Sequence, residues 1–151
     1  MNLKKALTPD TIRVHVDVSS KKEVIDTLLN VIAEGTGKVH DKDTALSDLL
    51  AREEKMSTGM QAGIAIPHAK TEAVDELVAG LLISKEPVDF QALDGNPCSI
   101  FIMTLSPTSR KGPHLQFIAA ISQILKTEEV RKKLLAAGSS EEIFNILTEN
   151  S

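Results

Sequence analysis

Two nearly continuous apolar segments, at about residues 77–84 and 99–105, constrain the fold of this chain most strongly. Glycine and proline residues separate the segments from their neighbours, which is typical of short strands joined by turns. A strand with one face in water alternates apolar and polar side chains, whereas a continuous apolar run indicates a strand covered on both faces. The two segments therefore predict central strands of a sheet that is buried on both sides.

Two further strands are predicted nearer the N-terminus. Apolar and polar residues alternate from Ile12 to Val18, which indicates a half-buried strand. Another strand is predicted at about 62–66, directly before Pro67.

Helices are predicted on both sides of this strand-rich region. Ser20 and Glu23 form a capping box that opens a helix ending near Gly35, and a second helix follows Asp41 or Asp43. Three more helices are predicted to begin after Pro113, after Thr127 and at the Ser139–Glu142 capping box. The order of strand, two helices, three strands and three helices predicts an α/β fold. We expect a single-domain sandwich over residues 1–151, with a central mixed sheet flanked by helices.

Composition excludes several functional classes. The net charge of −4 provides no electrostatic footprint for nucleic acid. No apolar run approaches the roughly 18 residues that a membrane span needs, and no secretory signal follows the N-terminal lysines, so we expect a cytoplasmic protein without direct membrane insertion. Cys98 is the only cysteine, which excludes an internal disulfide and a thiolate-cluster metal site.

Two of the four histidines occur in settings that suggest chemistry. His68 follows Ile66-Pro67, and the proline holds the preceding residue extended, so the imidazole is presented at the end of a strand. His114 opens a helix after Gly112-Pro113, where the positive helix end disfavours imidazolium and provides free N–H groups for an anion. Taken alone, each setting favours a structural histidine over a functional one. His15 and His40 are predicted to be surface residues.

Other candidate groups lie between the second helix and His68. Arg52 is near the end of that helix, and Ser57-Thr58-Gly59 provides two hydroxyls at the following turn. Each signal is weak by itself, because charged helix ends and hydroxyl-rich turns are common. Together, a neutral histidine nucleophile, a guanidinium, a second neutral histidine and hydroxyls are suitable components of a phosphoryl-transfer site.

The segment from Leu49 to Lys70, LLAREEKMSTGMQAGIAIPHAK, closely resembles the fructose/mannitol-type enzyme IIA family of the sugar phosphotransferase system. The Asp94-Gly95-Asn96-Pro97 turn and the helix that opens with His114-Leu115 are also similar to that family. The resemblance extends in order over nearly the whole chain.

The resemblance implies that His68 is phosphorylated on Nε2 by a histidine-containing phosphocarrier protein and that an enzyme IIB then accepts the group. It implies that Arg52 and His114 steady the phosphoryl group, and that Ser57 and Thr58 also contact it. No cofactor or metal is implied. Met60-Gln61-Ala62 departs from the glycine-containing loop of the family, and Cys98 stands where relatives often have valine, which indicates a packed strand residue.

Two alternatives to sugar transport remain at this stage. A nitrogen-related regulatory branch of the same family uses phosphorylation state to control protein partners, and the absence of a fused IIB or membrane domain favours it modestly. A zinc hydrolase that uses His68 and His114 is disfavoured, since no His-x-x-x-His motif or carboxylate-flanked pair supports a metal site.

Overall fold

The centre of the protein is a mixed β-sheet. In a computed structural model that describes residues 3–109 and 112–151, the sheet has five strands in this part of the chain. The strands are β1 (Ile12–Val16), β2 (Ile64–Ala65), β3 (His68–Lys70), β4 (Val78–Val88) and β5 (Cys98–Ser106). β4 and β5 are antiparallel, β1 runs parallel to β4, and both β2 and β3 run parallel to β5.

Helices cover both faces of this sheet. They are α1 (Leu3–Ala6), α2 (Lys21–Thr36), α3 (Lys42–Lys55), α4 (Gly112–Leu125), α5 (Glu128–Ala136) and α6 (Ser140–Glu149), with a 3-10 helix at Pro9–Thr11. Phe101 and Met103 of β5 pack into the same cluster as the apolar residues of α2 and α3, whereas Ile100 and Ile102 pack with those of α4, α5 and α6. The predicted α/β fold, with a central sheet covered on both sides, is confirmed.

The strand predicted to end before Pro67 continues beyond it. Pro67 has no N–H to donate, but its carbonyl accepts from the N–H of Thr104 at 3.2 Å, so the chain stays alongside β5. Pairing with β5 then resumes at His68, opposite Thr104. The sequence analysis missed β3 because the proline appeared to end the strand.

The first long helix ends close to its predicted end near Gly35. α2 continues through Gly35 to Thr36 and ends at Gly37, which has φ +65° and whose N–H donates to the carbonyl of Ala33 at 3.0 Å. Gly37 is therefore the left-handed C-cap. Gly35 lies inside the helix because its Cα packs against Asp10, where an added Cβ would lie 2.5 Å from the carbonyl oxygen.

Gly80 allows α2 to approach the centre of β4 closely. An added Cβ would lie 2.7 Å from Cγ1 of Ile32 and 3.0 Å from the carbonyl oxygen of Thr11. We therefore expect Gly80→Ala to lower the free energy of unfolding by about 1–3 kcal/mol, as overpacking of a core does. Urea unfolding followed by circular dichroism measures the change.

Gly138→Ala is the matched control for Gly80→Ala. Its Cβ would meet only Oε1 of Glu142, at 3.9 Å, so the free energy of unfolding should change by no more than about 0.5 kcal/mol. Equal stability of the two variants would contradict the close packing of α2 on β4.

Candidate phosphoryl-transfer site

The structure brings His68, His114 and Arg52 to one cleft. Its volume is about 460 Å³, and it lies where the last turns of α3, strand β3 and the start of α4 meet. The lining residues are Asp48, Ala51, Arg52, Lys55, His68, Ala69, Lys70 and His114. Three elements that are distant in sequence therefore supply three of the five predicted site residues.

The imidazole of His68 is held in a defined tautomer. Its Nδ1 lies 2.7 Å from the carbonyl oxygen of Ile66. A carbonyl can only accept a hydrogen bond, so Nδ1 carries the proton and Nε2 of the neutral ring carries the lone pair. Burial lowers the pKa of His68, and the positive charge of Arg52 lowers it further, while the Ile66 carbonyl and Glu53 oppose these effects. The ring is therefore a neutral nucleophile at neutral pH.

The second histidine lies directly beside the first. The ring centroids of His68 and His114 are 5.0 Å apart, and the ring planes are inclined by 52°. Burial, followed by the charges of His68, Lys70 and Arg52, lowers the pKa of His114 to about 4. The direction agrees with the sequence-based expectation, but the main cause is burial rather than the helix end.

His114 belongs to the buried interior. The residue is 4% exposed, and its Nδ1 has no hydrogen-bond partner among the described residues. A buried polar atom without a partner is costly, so it identifies a place where a ligand could supply the missing contact.

Arg52 contributes a guanidinium to the cleft. Its Nη1 donates to the carbonyl of Met56 at 2.8 Å, which helps to cap the end of α3. A guanidinium has five N–H donors in a planar fork, so this contact leaves donors for an oxyanion in the cleft.

The hydroxyls of Ser57 and Thr58 do not line this cleft. Ser57 Oγ donates to the carbonyl of Phe90 at 2.6 Å, and Thr58 Oγ1 donates to Oε2 of Glu53 at 2.6 Å. Direct contact of either hydroxyl with a phosphoryl group stays a prediction, and it would require the hydroxyl to change its partner.

The sequence analysis assigned no role to Glu53. This carboxylate is 8% exposed, and it forms an ion pair with Nζ of Lys21 at 2.8 Å. It also accepts hydrogen bonds from the N–H and the hydroxyl of Thr58. A signal was present in the sequence, because a carboxylate in the last turn of a helix opposes the helix dipole and calls for a compensating partner.

A second cleft lies elsewhere. It has a volume of about 540 Å³, and its lining includes Met60, Ile64, Leu93 and Leu125 but neither His68 nor His114. His15 and His40 are exposed, as predicted. Within residues 3–109 and 112–151, no cluster of three or more histidine, cysteine, aspartate or glutamate side chains is arranged to hold a metal ion. No helix in the same ranges is long and apolar enough to cross a membrane.

Comparisons with known proteins agree on a family. Residues 5–150 match the family described as "Phosphoenolpyruvate-dependent sugar phosphotransferase system, EIIA 2". The fructose-specific EIIA component of Haloferax volcanii is 39% identical over 144 residues, which are 95% of this chain and 93% of that protein. A nitrogen regulatory protein of Pseudomonas aeruginosa is 33% identical over 149 residues, 99% of this chain and 96% of that protein.

Another relative is a longer protein. The fructose-specific EIIABC component of Bacillus subtilis is 35% identical over 150 residues, which are 99% of this chain but only 24% of that protein. The chain thus corresponds to about a quarter of its length.

Solved structures have the same fold. The nitrogen regulatory protein IIA-Ntr of Neisseria meningitidis superimposes with a TM-score of 0.88 at 28% identity, covering 96% of this chain and 98% of that one. The mannitol IIA of Escherichia coli has a TM-score of 0.78 at 23% identity, covering 93% of this chain and 97% of that one. With the whole sequence matched and the paired histidines in one cleft, the chain belongs to the type 2 enzyme IIA family of the phosphoenolpyruvate-dependent sugar phosphotransferase system.

Proposed function

We propose that this protein carries a phosphoryl group on Nε2 of His68, received from a histidine-containing phosphocarrier protein and passed to an enzyme IIB. The observation that carries the proposal is the hydrogen bond from Nδ1 of His68 to the Ile66 carbonyl. That bond leaves Nε2 as the nucleophilic nitrogen of a neutral ring.

The attack by Nε2 forms a P–N bond as the bond from phosphorus to the donor histidine breaks. The His68 ring becomes positively charged as its lone pair is used. The Ile66 carbonyl, which accepts from Nδ1–H, stabilises this charge throughout the step. The ring needs no proton transfer before it attacks.

The other cleft residues stabilise the charge of the transferred group. Phosphoryl transfer depends mostly on positioning and on the neutralisation of oxyanion charge. Arg52 and His114 line the same cleft as His68, and they are the best candidates to donate to these oxygens. A neutral His114 donates one N–H without holding the dianion as strongly as a cation would, which favours onward transfer.

The proposed partners follow from the family and from its characterised relatives. One structural neighbour is a complex of Escherichia coli enzyme IIA for mannitol with phosphorylated enzyme IIB, although at 22% identity it demonstrates only the shared fold. We propose an enzyme IIB as the acceptor and a histidine-containing phosphocarrier as the donor. We propose that both transfers take place in the cytoplasm.

A regulatory role is the second candidate. Relatives named nitrogen regulatory protein match nearly the whole chain, at 33% identity in Pseudomonas aeruginosa. In this case the phosphorylation state of His68 would control binding to a protein target, through the same site chemistry. The presence of an adjacent gene for a IIB or membrane permease component distinguishes transport from regulation.

His68→Ala tests the position of the phosphoryl group. Incubation with phosphoenolpyruvate, enzyme I and the phosphocarrier should add one acid-labile, base-stable phosphoryl group to the wild-type protein and none to His68→Ala. Intact-mass spectrometry measures the incorporation. His40→Ala changes an exposed histidine and should be labelled fully. Full labelling of His68→Ala would refute the assignment.

Replacement of the flanking donors should slow the transfer. Arg52→Ala and His114→Leu each remove one group that stabilises the phosphoryl oxygens, so the rate should fall by about 10²–10³-fold. Leucine is chosen because it has no N–H donor and because His114 is buried, so that alanine would leave a cavity. Rapid-quench transfer assays measure the rates, and thermal unfolding verifies the fold. Wild-type rates in both variants would remove these residues from the site.

The pKa of His114 should respond to phosphorylation of His68. In the free protein its pKa is about 4, so the ring is neutral from pH 7 down to about pH 5. A phosphoryl group brings about two negative charges, which stabilise the imidazolium and raise the pKa. Long-range ¹H–¹⁵N NMR during a pH titration of the free and phosphorylated forms measures the shift. An identical titration in both forms would show that His114 does not face the phosphoryl group.

A further inference from the structure

We propose that Glu53 is a positioning residue for His68, acting through Thr58 and Ile66. The inference rests on the proposed function, in which His68 accepts the phosphoryl group. It assigns a role to a buried carboxylate that does not line the cleft.

The first link joins the end of α3 to the turn that follows it. Oε1 of Glu53 accepts from the N–H of Thr58 at 2.8 Å, and Oε2 accepts from the Thr58 hydroxyl at 2.6 Å. Thr58 is 4% exposed, so water does not compete for these contacts. The two bonds fix both the backbone and the side chain of this residue.

The second link joins the same turn to the catalytic ring. The carbonyl of Thr58 accepts from the N–H of Ile66 at 3.1 Å. The carbonyl of Ile66 in turn accepts from Nδ1 of His68 at 2.7 Å. An unbroken series of hydrogen bonds therefore runs from Glu53 to the nitrogen whose proton determines where the lone pair of His68 lies.

The ion pair with Lys21 stabilises the buried carboxylate of Glu53. Its Nζ lies 2.8 Å from Oε1 of Glu53, and it also donates to Oε1 of Gln91 at 3.1 Å and lies 5.0 Å from the centroid of the Phe90 ring. A buried charge is costly unless it is paired and hydrogen-bonded. Pairing with Lys21 also offsets the repulsion that a bare carboxylate would exert on an incoming phosphoryl group.

This arrangement has a consequence for the imidazole. If Thr58 and Ile66 lose their fixed positions, Nδ1–H loses its acceptor, and the ring can rotate or adopt the tautomer with the proton on Nε2. That tautomer has no lone pair on the nitrogen that attacks phosphorus. Glu53 thus acts on the reaction without touching the phosphoryl group.

The test combines Glu53→Met with a matched control. Methionine has a similar volume but accepts no comparable hydrogen bond, whereas Glu54→Met makes the same change at the exposed neighbouring position. Thr58→Val removes only the hydroxyl contact, and Thr58→Ser should restore it. If Glu53→Met does not fold, the Lys21→Met/Glu53→Met double variant replaces the whole ion pair by apolar side chains, a change that cores often tolerate.

Two measurements separate positioning from a merely structural role. Ring ¹⁵N shifts of the unphosphorylated protein should show Nδ1–H in the wild type, in Glu54→Met and in Thr58→Ser, and a mixture of tautomers in Glu53→Met and Thr58→Val. In steady-state transfer, kcat of Glu53→Met and Thr58→Val should fall by about tenfold to a hundredfold. Their KM for the phosphocarrier should be unchanged, as expected for a misplaced reacting group.

The proposal is overturned if folded Glu53→Met, or the folded double variant, keeps the wild-type tautomer and a kcat within twofold of Glu54→Met. Failure of the wild-type protein to accept phosphoryl at all would instead refute the proposed function. The ring spectra would still show whether Glu53 orients His68.

Discussion

The hydrogen bond between Nδ1 of His68 and the Ile66 carbonyl is the interaction on which the proposed phosphoryl transfer depends. It spans only two residues, and Pro67 between them keeps the chain close to β5 by accepting from Thr104. A flexible turn would let the imidazole sample both tautomers and several orientations. Here the adjoining sheet and the hydrogen bond from the Ile66 N–H to Thr58 hold the acceptor, so the proposed nucleophilic nitrogen is selected before any partner arrives.

The charge distribution around this bond suits a group that must be bound and then released. Both histidines have a lowered pKa because of burial and neighbouring positive charge. The rings therefore remain neutral while Arg52 provides a permanent positive charge in the same cleft. Lys55 and Lys70 also line the cleft as cations and Asp48 lines it as an anion, so two neutral histidines keep the positive charge from rising further, which favours release of a dianion.

Much of the fold could be predicted because hydrophobic patterning reports burial directly. The continuous apolar runs at 77–84 and 99–105 are the central antiparallel strands, and their side chains enter separate clusters on the two faces of the sheet. An error arose where a local signal competes with tertiary contacts, because Pro67 resembled a strand end although pairing with β5 resumes at His68. The helix end predicted near Gly35 lies within one residue of Thr36, and Gly35 itself serves the close approach of Asp10.

The sequence by itself determined the candidate nucleophile, since Ile66-Pro67-His68 and its surrounding motif indicate both the residue and its family. It also indicated Arg52 and His114 as partners, but only the tertiary structure brings them to the same cleft. The tertiary structure also buries His114 and pairs the Thr58 hydroxyl with Glu53 in a hydrogen bond. The physical reason is that burial and hydrogen-bond partners depend on packing between separate elements, here α3, β3 and α4. Local propensity and residue spacing do not predict which polar group will form a hydrogen bond with a distant segment of the chain.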